Sequence, residues 1–447
     1  MKYQSTSEYI LETSREYAIY VCDQRAIPLV TDGLKSSQRK MLWLMRNRAD
    51  KLKTVSLAGQ SIADGLYLHG DSSASQTISM MAAPYCNNIP LLTGVGSFGT
   101  IINPQAWGAP RYTYVKRNRA AEKILYQDLD VVPMKENYDG STTEPVTFLP
   151  IIPLVLLNGV SGIAVGWSTE ILPHSLKDIV DAVALAIQGK KIKQLEPHYS
   201  YLDIDVRHLG GNSWEFLGKV EKKDGSSLRV TSLPPDLSLE KFRERLDQYE
   251  DEDKINTYTD NSSDKIDIEI KFKRGTIADW SEEKLVEFLK LRSRKSERIV
   301  VIGFDNNSIK QYSGPEELVK DFVEWRFGFY VKRYEKFFED ASYELHYWLA
   351  LRECFDHKLP DDILKVKNKK EVIDKIFSIA DFIDEKQADK IANLPTYRWC
   401  TEYYEEVLKK IEELLNNIEE YADLLENPEK IRTIFLDEVK ALKKEKL

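Results

Sequence analysis

Two seams of apolar residues do most to limit how this chain can fold. Phe327, Val331, Tyr334, Phe338, Ala341, Leu345 and Trp348 alternate spacings of four and three, and Leu408, Ile411, Leu415, Ile418, Ala422 and Leu425 do the same. Such alternation keeps the a and d positions of a helix apolar over several turns. Each run predicts a helix on the order of 40 Å or more at about 1.5 Å per residue. The intervening stretch of about 55 residues, with Pro360 and Pro395, predicts a compact helical knob. Two helices leaving a body and returning from a knob would form an antiparallel arm. An ordinary helical bundle satisfies the same periodicity, so spacing alone leaves both open.

The 447 residues are enough for two to four domains and a sizeable core. Net charge is −9, yet thirteen basic residues face five acidic ones between Arg25 and Lys123, a local charge of +8. That asymmetry predicts a polyanion-binding region in an otherwise self-repelling body. Ser72 to Pro110 carries no charge, which predicts a buried or closely apposed segment. Cys22, Cys86, Cys354 and Cys400 are scattered, so they read as reduced thiols of an intracellular, cytoplasmic protein and form neither a zinc site nor a disulfide frame. The amphipathic, acidic start does not read as a signal peptide. The apolar run Phe148 to Val165 is broken by Pro150, Pro153, Asn158, Gly159 and Gly162 and predicts no membrane span.

Residues 6–22 have helical spacing through Ile10, Tyr17, Tyr20 and Val21. A turn begins at Arg25, and a basic amphipathic helix follows over about 36–47. A short helix is predicted over Ser61 to Tyr67. A second begins near His69-Gly70-Asp71-Ser72-Ser73, with Ser or Asp as N-cap, and reaches about Met81. Two helices around a short turn are what a helix-turn-helix reading element looks like. A buried Ser/Ala-rich helix has the same composition. Gly94 to Gly99 matches G-x-G-x-x-G, but Thr-Ile-Ile-Asn-Pro follows in place of a helix and no acid appears before Glu122. A dinucleotide loop needs both features, so tight backbone packing is the better reading. From about 130 to 310, strands (227–233, 265–272, 298–302) alternate with helices (176–187, 239–249, 282–291), an α+β region. Asp203 and Asp205 read as a strand end sooner than a metal pair.

The chemistry points to Arg111-Tyr112-Thr113-Tyr114, followed by Lys116, Arg117 and Arg119. A phenol is a weak nucleophile at its ordinary pKa of about 10. A neighbouring guanidinium stabilises both the phenolate and the charge growing on a phosphoryl group under attack. A surface tyrosine in a basic loop is the plain alternative.

Further motifs give the pair a context. Arg25-Ala-Ile-Pro-Leu-Val-Thr-Asp-Gly-Leu-Lys35, then Arg39-Lys40, precedes Tyr67-Leu-His69-Gly70-Asp71-Ser72, Gly94 to Gly99, Pro110-Arg111-Tyr112, Asn137-Tyr-Asp-Gly140 and Asn158 to Thr169. In this order they resemble the motifs of the breakage–reunion subunit of type IIA DNA topoisomerases, the group that includes gyrase. The Gly-Trp-Ser-Thr run and the Arg326-to-Glu335 segment resemble the eukaryotic members. The expected absence of a DNA-wrapping β-pinwheel makes the chain most similar to phage-encoded members.

The resemblance implies a multidomain α+β fold. A winged-helix DNA-gate domain would occupy 1–130, an α/β tower domain 131–315, a long antiparallel coiled-coil arm 316–353 and 399–447, and a helical dimerisation knob 354–398. It implies that Tyr112 attacks a DNA phosphate, that Arg111, Arg25 and His69 contact that phosphate, and that Ile163 wedges between base pairs. Lys35, Arg39 and Lys40 would neutralise backbone phosphates, with Ser72, Lys116 and Arg117 as further DNA contacts. Tyr67 stands where the family carries a first histidine, and Thr31 and Lys40 stand where bacterial relatives often carry arginine. His69 occupies the place of the glutamate in the E-G-D-S metal motif, and no D-x-D-x-x-G or ATPase glycine box follows. No metal site is therefore expected on this chain, and Mg²⁺ and ATP are expected on partner chains. The expected partners are double-stranded DNA, a second copy of the chain and an ATPase/Toprim topoisomerase chain, without a membrane. A non-catalytic dimeric DNA-binding scaffold is the rival reading, and a nucleotide-dependent oxidoreductase a third.

Overall fold

The computed structural model describes residues 6–104, 106–363 and 365–444, with the side chains of 6–9 and 11 left aside. Parts of the expected domains (1–5, Gln105, Leu364 and 445–447) lie outside the described residues. The chain divides into two compact units, one from Met1–Arg326 with Leu436–Leu447, the other from Phe327–Phe435.

In the first unit, helix α1 (Thr6–Val21) runs into a single π turn, Cys22–Ala26, closed by the Ile27 N–H on the Cys22 carbonyl at 3.1 Å. The wider turn carries Arg25. Ile10, Tyr17 and Ile19 of α1 are exposed, so the helix does not bury the stripe its spacing suggests. Next come α2 (Ser36–Met45), β1 (Leu52–Lys53), α3 (Thr54–Ala63) and α4 (Asp71–Ala82). The predicted helix over Ser61 to Tyr67 instead starts seven residues earlier and stops at Ala63. Gly65, at φ +69, turns the chain there. The α4 N-cap is Gly70, with neither Ser nor Asp in that place. Strands β2 (Leu92–Val95) and β3 (Tyr114–Arg117) complete an antiparallel sheet with β3 between β1 and β2. Helix α5 (Arg119–Leu125) follows, capped by the Asn118 side chain on the N–H groups of Ala120 and Ala121.

Two hairpins come next, β4 (Met134–Glu136) with β5 (Thr143–Pro145), and β6 (Val160–Ile163) with β7 (Ser168–Ile171). The second is tied to the segment entering strand Ile299–Ile302 by paired hydrogen bonds between Glu170 and Arg298. The same strand holds the chain just after Arg25, through Ile302 N–H on Pro28 O and Val30 N–H on Ile302 O. The α+β region follows its predicted elements closely. Helices Leu176–Ile187, Leu239–Asp251 and Glu282–Phe288 each begin after a serine that accepts the N–H three residues on, the usual N-cap bond. Asp205 opens a strand, and it and Asp203 pair with Lys219. Among the described residues, no three His, Cys, Asp or Glu side chains gather as a metal site. No described helix is long and apolar enough to cross a membrane.

A 42-residue helix, Pro315–Asp356, continues into the second unit. There Phe355 packs on Trp399 and Tyr404, Phe337 on Tyr421, and Tyr330 on Phe435. Numbers rise on one side as they fall on the other, so the helices Thr401–Glu426 and Pro428–Ala441 return antiparallel. The second seam keeps Ile411 and Ile418 but not every predicted position. Val407, Ile411, Leu414 and Leu424 are buried, whereas Leu408 and Leu415 are 42% and 50% exposed. The apolar face is wider than the surface its partner helix covers. Three short helices, Leu359–Ile363, Lys369–Ile379 and Glu385–Ala392, fill the stretch between, sharing a core with Leu351 and Cys354.

Arg39 corrects a predicted role. It is buried and grips Asp32 with two hydrogen bonds of 2.6 and 2.8 Å, plus one to Leu34 O. A guanidinium so occupied cannot also neutralise a phosphate. Removing one partner of a buried pair costs about 3–5 kcal/mol, so Arg39→Ala should lose stability on that scale in urea unfolding. A loss below about 1 kcal/mol would refute this structural role.

Candidate nucleic-acid interface

Arg25, Lys40 and His69 share a cleft of about 730 Å³ with Tyr20, Tyr67, Ser73, Lys135, Glu136 and Glu144. His69 lies in the connection from α3 to α4. Its Nε2 is 3.3 Å from an Arg25 guanidinium nitrogen and 3.0 Å from the Tyr20 hydroxyl. Tyr67 packs edge-on against the imidazole at 5.4 Å, while its own hydroxyl meets Ser73 Oγ at 2.9 Å. Desolvation, then the charges of Arg25 and Lys40, lower the His69 pKa from its ordinary value. Lys40 lies 3.0 Å from Glu144, both largely buried. It borders the cleft but already has a counter-charge.

Tyr112 and Arg111 do not line this cleft. Pro110 to Tyr112 forms a turn, closed by Tyr112 N–H on Ala109 O at 2.8 Å. The turn is pinned to the start of α3, where Thr54 N–H bonds Thr113 O and Val55 N–H bonds Pro110 O. The buried hydroxyls of Thr54 and Thr113 meet at 2.8 Å. On this anchored turn Tyr112 is 70% exposed, with the Arg111 guanidinium 4.8 Å from its ring centre. Tyr114 opens strand β3, half-buried, with the Lys51 ammonium over its ring at 5.1 Å. A simple extended segment would aim both phenols alike, but the turn separates them.

The glycine motif serves this turn. A Cβ at Gly96 or Gly108 would press on the Thr113 methyl, at 3.2 and 2.9 Å, and one at Gly94 would overlap the Phe98 ring. The glycines of the motif are spent on close packing within the protein, which favours the tight-packing reading over the dinucleotide one.

Ile163 ends strand β6 and is 85% exposed, beside Val165 at 55% and Trp167 at 43%. Sequence reasoning singles out Ile163 and misses the other two, whose exposure depends on the hairpin turn through Gly166 at φ +79. The hairpin leans on the π turn so closely that a Cβ at Gly162 would overlap Ala26 O. Lys35 reaches Ser161 O at 3.0 Å, and burial lowers its pKa. Ser72, in the first turn of α4, and Lys116, on β3, face solvent. Arg117 is half-buried. It bonds Arg46 O at 2.8 Å and pairs with Glu122 at 2.9 Å, so part of its guanidinium is engaged in fastening β3 to the end of α2 and to α5. Tyr20 is also missed, because its place in an apolar stripe reads as core.

The chain thus carries an exposed phenol beside a guanidinium, a separate basic cleft and a bare apolar hairpin tip. Residues 25–440 match the family of DNA gyrase/topoisomerase IV A subunits. The chain belongs to that family. It is 32% identical over 375 residues to the DNA topoisomerase medium subunit of Enterobacteria phage T4, covering 81% of this chain and 83% of that one. It is 30% identical over 391 residues to DNA topoisomerase 2 of Bombyx mori, covering 83% of this chain but 25% of the silkworm protein. The fold matches the crystal structure of the Plasmodium falciparum topoisomerase II DNA-binding, cleavage and re-ligation domain. The TM-score is 0.85 at 24% identity, over 98% of this chain and 64% of that one.

The His69 environment has a measurable consequence. Its imidazole should titrate below the ordinary histidine value of about 6.5, and Arg25→Ala or Lys40→Ala should move the midpoint up as a repelling charge is lost. Nuclear magnetic resonance of the imidazole resonances against pH reads this directly. A midpoint at or above the ordinary value in the unsubstituted protein would contradict it.

Proposed function

We propose that this chain is the DNA-cleaving and rejoining subunit of an ATP-dependent type II DNA topoisomerase. The anchored, exposed Tyr112 under Arg111 carries the reading. The Tyr112 phenol attacks the phosphorus of a backbone phosphodiester. A bond forms between the phenolic oxygen and phosphorus, and the bond from phosphorus to the 3′ oxygen breaks. The phenol gives up its proton and the leaving oxygen takes one, leaving a 5′-phosphotyrosine and a free 3′ hydroxyl. Rejoining is the reverse, so the bond energy is kept. Arg111, Arg25 and His69 stabilise charge on the phosphoryl oxygens. Lys35, Lys116 and Ser72 supply sequence-independent backbone contacts.

Ile163, with Val165 and Trp167, is the wedge that unstacks a base step and bends the duplex. The proposed architecture keeps the expected divisions: a winged-helix gate, a tower, a coiled-coil arm and a dimerisation knob. Cutting both strands takes two Tyr112 residues about a two-fold axis, so the working form is a homodimer. Mg²⁺ and ATP belong to an ATPase/Toprim partner. No step above runs through either group. The working place is the cytoplasm, that of the host if the chain is phage-encoded.

Tyr112→Phe should abolish the covalent protein–DNA adduct trapped by detergent in the presence of the partner, with DNA affinity retained within about twofold. Tyr114→Phe should still cleave. Adduct surviving in the Tyr112 variant would overturn the assignment, and no adduct with any variant would favour the scaffold. Purified alone, the chain should sediment as a dimer, bind duplex DNA with strong salt dependence, and neither cleave nor relax it. A strictly monomeric mass at micromolar concentration, or relaxation by the pure chain, would contradict the proposed division of labour.

A further inference from the structure

We propose that Tyr20 is a positioning residue for cleavage, whose hydroxyl holds the His69 imidazole by Nε2 and leaves Nδ1–H to donate to the phosphate while Arg25 moves onto the same phosphate. The inference rests on the function proposed above and adds a residue that the family motifs do not include.

Two groups converge on one nitrogen. The Tyr20 hydroxyl is 3.0 Å and the Arg25 guanidinium 3.3 Å from His69 Nε2. A guanidinium only donates, so Nε2 must present its lone pair and the neutral ring keeps its proton on Nδ1. A protonated Nε2 would set N–H against N–H. One lone pair serves one well-aligned donor, and the hydroxyl is the nearer. A phosphate meets the Arg25 guanidinium charge to charge and accepts two of its N–H groups at once, where the imidazole offers one lone pair already shared. A bound duplex therefore draws Arg25 away, and the uncharged phenol stays.

The surroundings support this division. The Arg25 guanidinium lies 5.6 Å from the Tyr20 ring centre, and Tyr17 stacks on Tyr20 at 6.4 Å, so the phenol is itself braced. Tyr67 stands where the family carries a histidine, but its hydroxyl is engaged with Ser73 and does not reach the imidazole nitrogen. Tyr20, arriving from the end of α1, makes that contact instead. The charged and titratable groups around His69 are Arg25, Lys40 and Lys135 on the positive side, Glu136, Glu144 and the nearby Asp71 on the negative, and the phenols of Tyr20, Tyr67 and Tyr138.

The test uses the chain assembled with its ATPase/Toprim partner and single-turnover, detergent-trapped cleavage of linear duplex from mildly acidic to mildly alkaline pH. Tyr20→Phe should cleave about three- to tenfold more slowly, the worth of one hydrogen bond, with DNA affinity unchanged within about twofold. Its acid limb should move to higher pH, because the neutral imidazole loses a donor that favoured it. In a His69→Ala background, Tyr20→Phe should change nothing further. An unshifted pH profile, or equal slowing in the His69→Ala background, would reduce Tyr20 to a packing residue and overturn the inference. Absence of adduct in the unsubstituted enzyme would instead overturn the proposed function.

Discussion

The interface hangs on one buried carboxylate. Asp32 accepts two hydrogen bonds from Arg39, one from Leu34 N–H at 3.0 Å and one from Phe148 N–H at 3.0 Å. Those donors come from helix α2, from the loop entering it and from a segment more than a hundred residues away. A carboxylate with both oxygens satisfied in this way is stable only if all its donors are held in place, so one side chain fixes three backbones. Gly33 makes the junction tighter, because at φ +67 its backbone packs where a Cβ would overlap Val155. From this node the chain runs back to the π turn with Arg25 and forward to Lys35 and Lys40.

The cations of the basic segment consequently divide by what already neutralises them. Arg39 is used up inside the fold, Arg117 pairs at a half-exposed site with Glu122, and Lys40 faces Glu144. Arg25, Arg111 and Lys116 are all exposed, and among the described residues none of the three is tied to a carboxylate in this way. Counting charges along the sequence overstates how many reach a polyanion. In the proposed reaction the residues nearest the phosphate are those whose hydrogen bonds are weak or shared, and they can be exchanged at little cost.

Much of this is legible in the sequence, for identifiable reasons. Helices that start with a serine N-cap and bury one face, such as Leu176–Ile187, announce themselves through local bonds. Tyr112 and Ile163 stand out as candidates through motif order, and both are exposed. The fate of Arg39 is not legible, since its partner Asp32 is local but that carboxylate is also held by the distant Phe148 N–H. The second seam keeps Ile411 but takes Leu414 in place of Leu415, because both are leucine and only the partner helix decides which is covered. Tyr20 is hidden for a related reason. An aromatic residue at helical spacing looks like core, and only the fold brings a histidine 49 positions away to its hydroxyl.

The hairpin tip gives the last step. Ile163, Val165 and Trp167 stand out into solvent on a strand pair whose base is fixed beside strand Ile299–Ile302 and whose flank lies on the Ala26 carbonyl. Bare apolar side chains on a rigid support gain free energy only when something apolar covers them, and unstacked base faces do so. The residue preceding Ala26 is Arg25. The proposed wedge and the proposed phosphate-binding cation are thus mounted on touching backbone, with no flexible linker to absorb a change in one without moving the other. Bending the duplex and seating the phosphate are therefore a single event in the proposed mechanism, so a duplex that resists bending is also one whose phosphate is poorly placed for Tyr112.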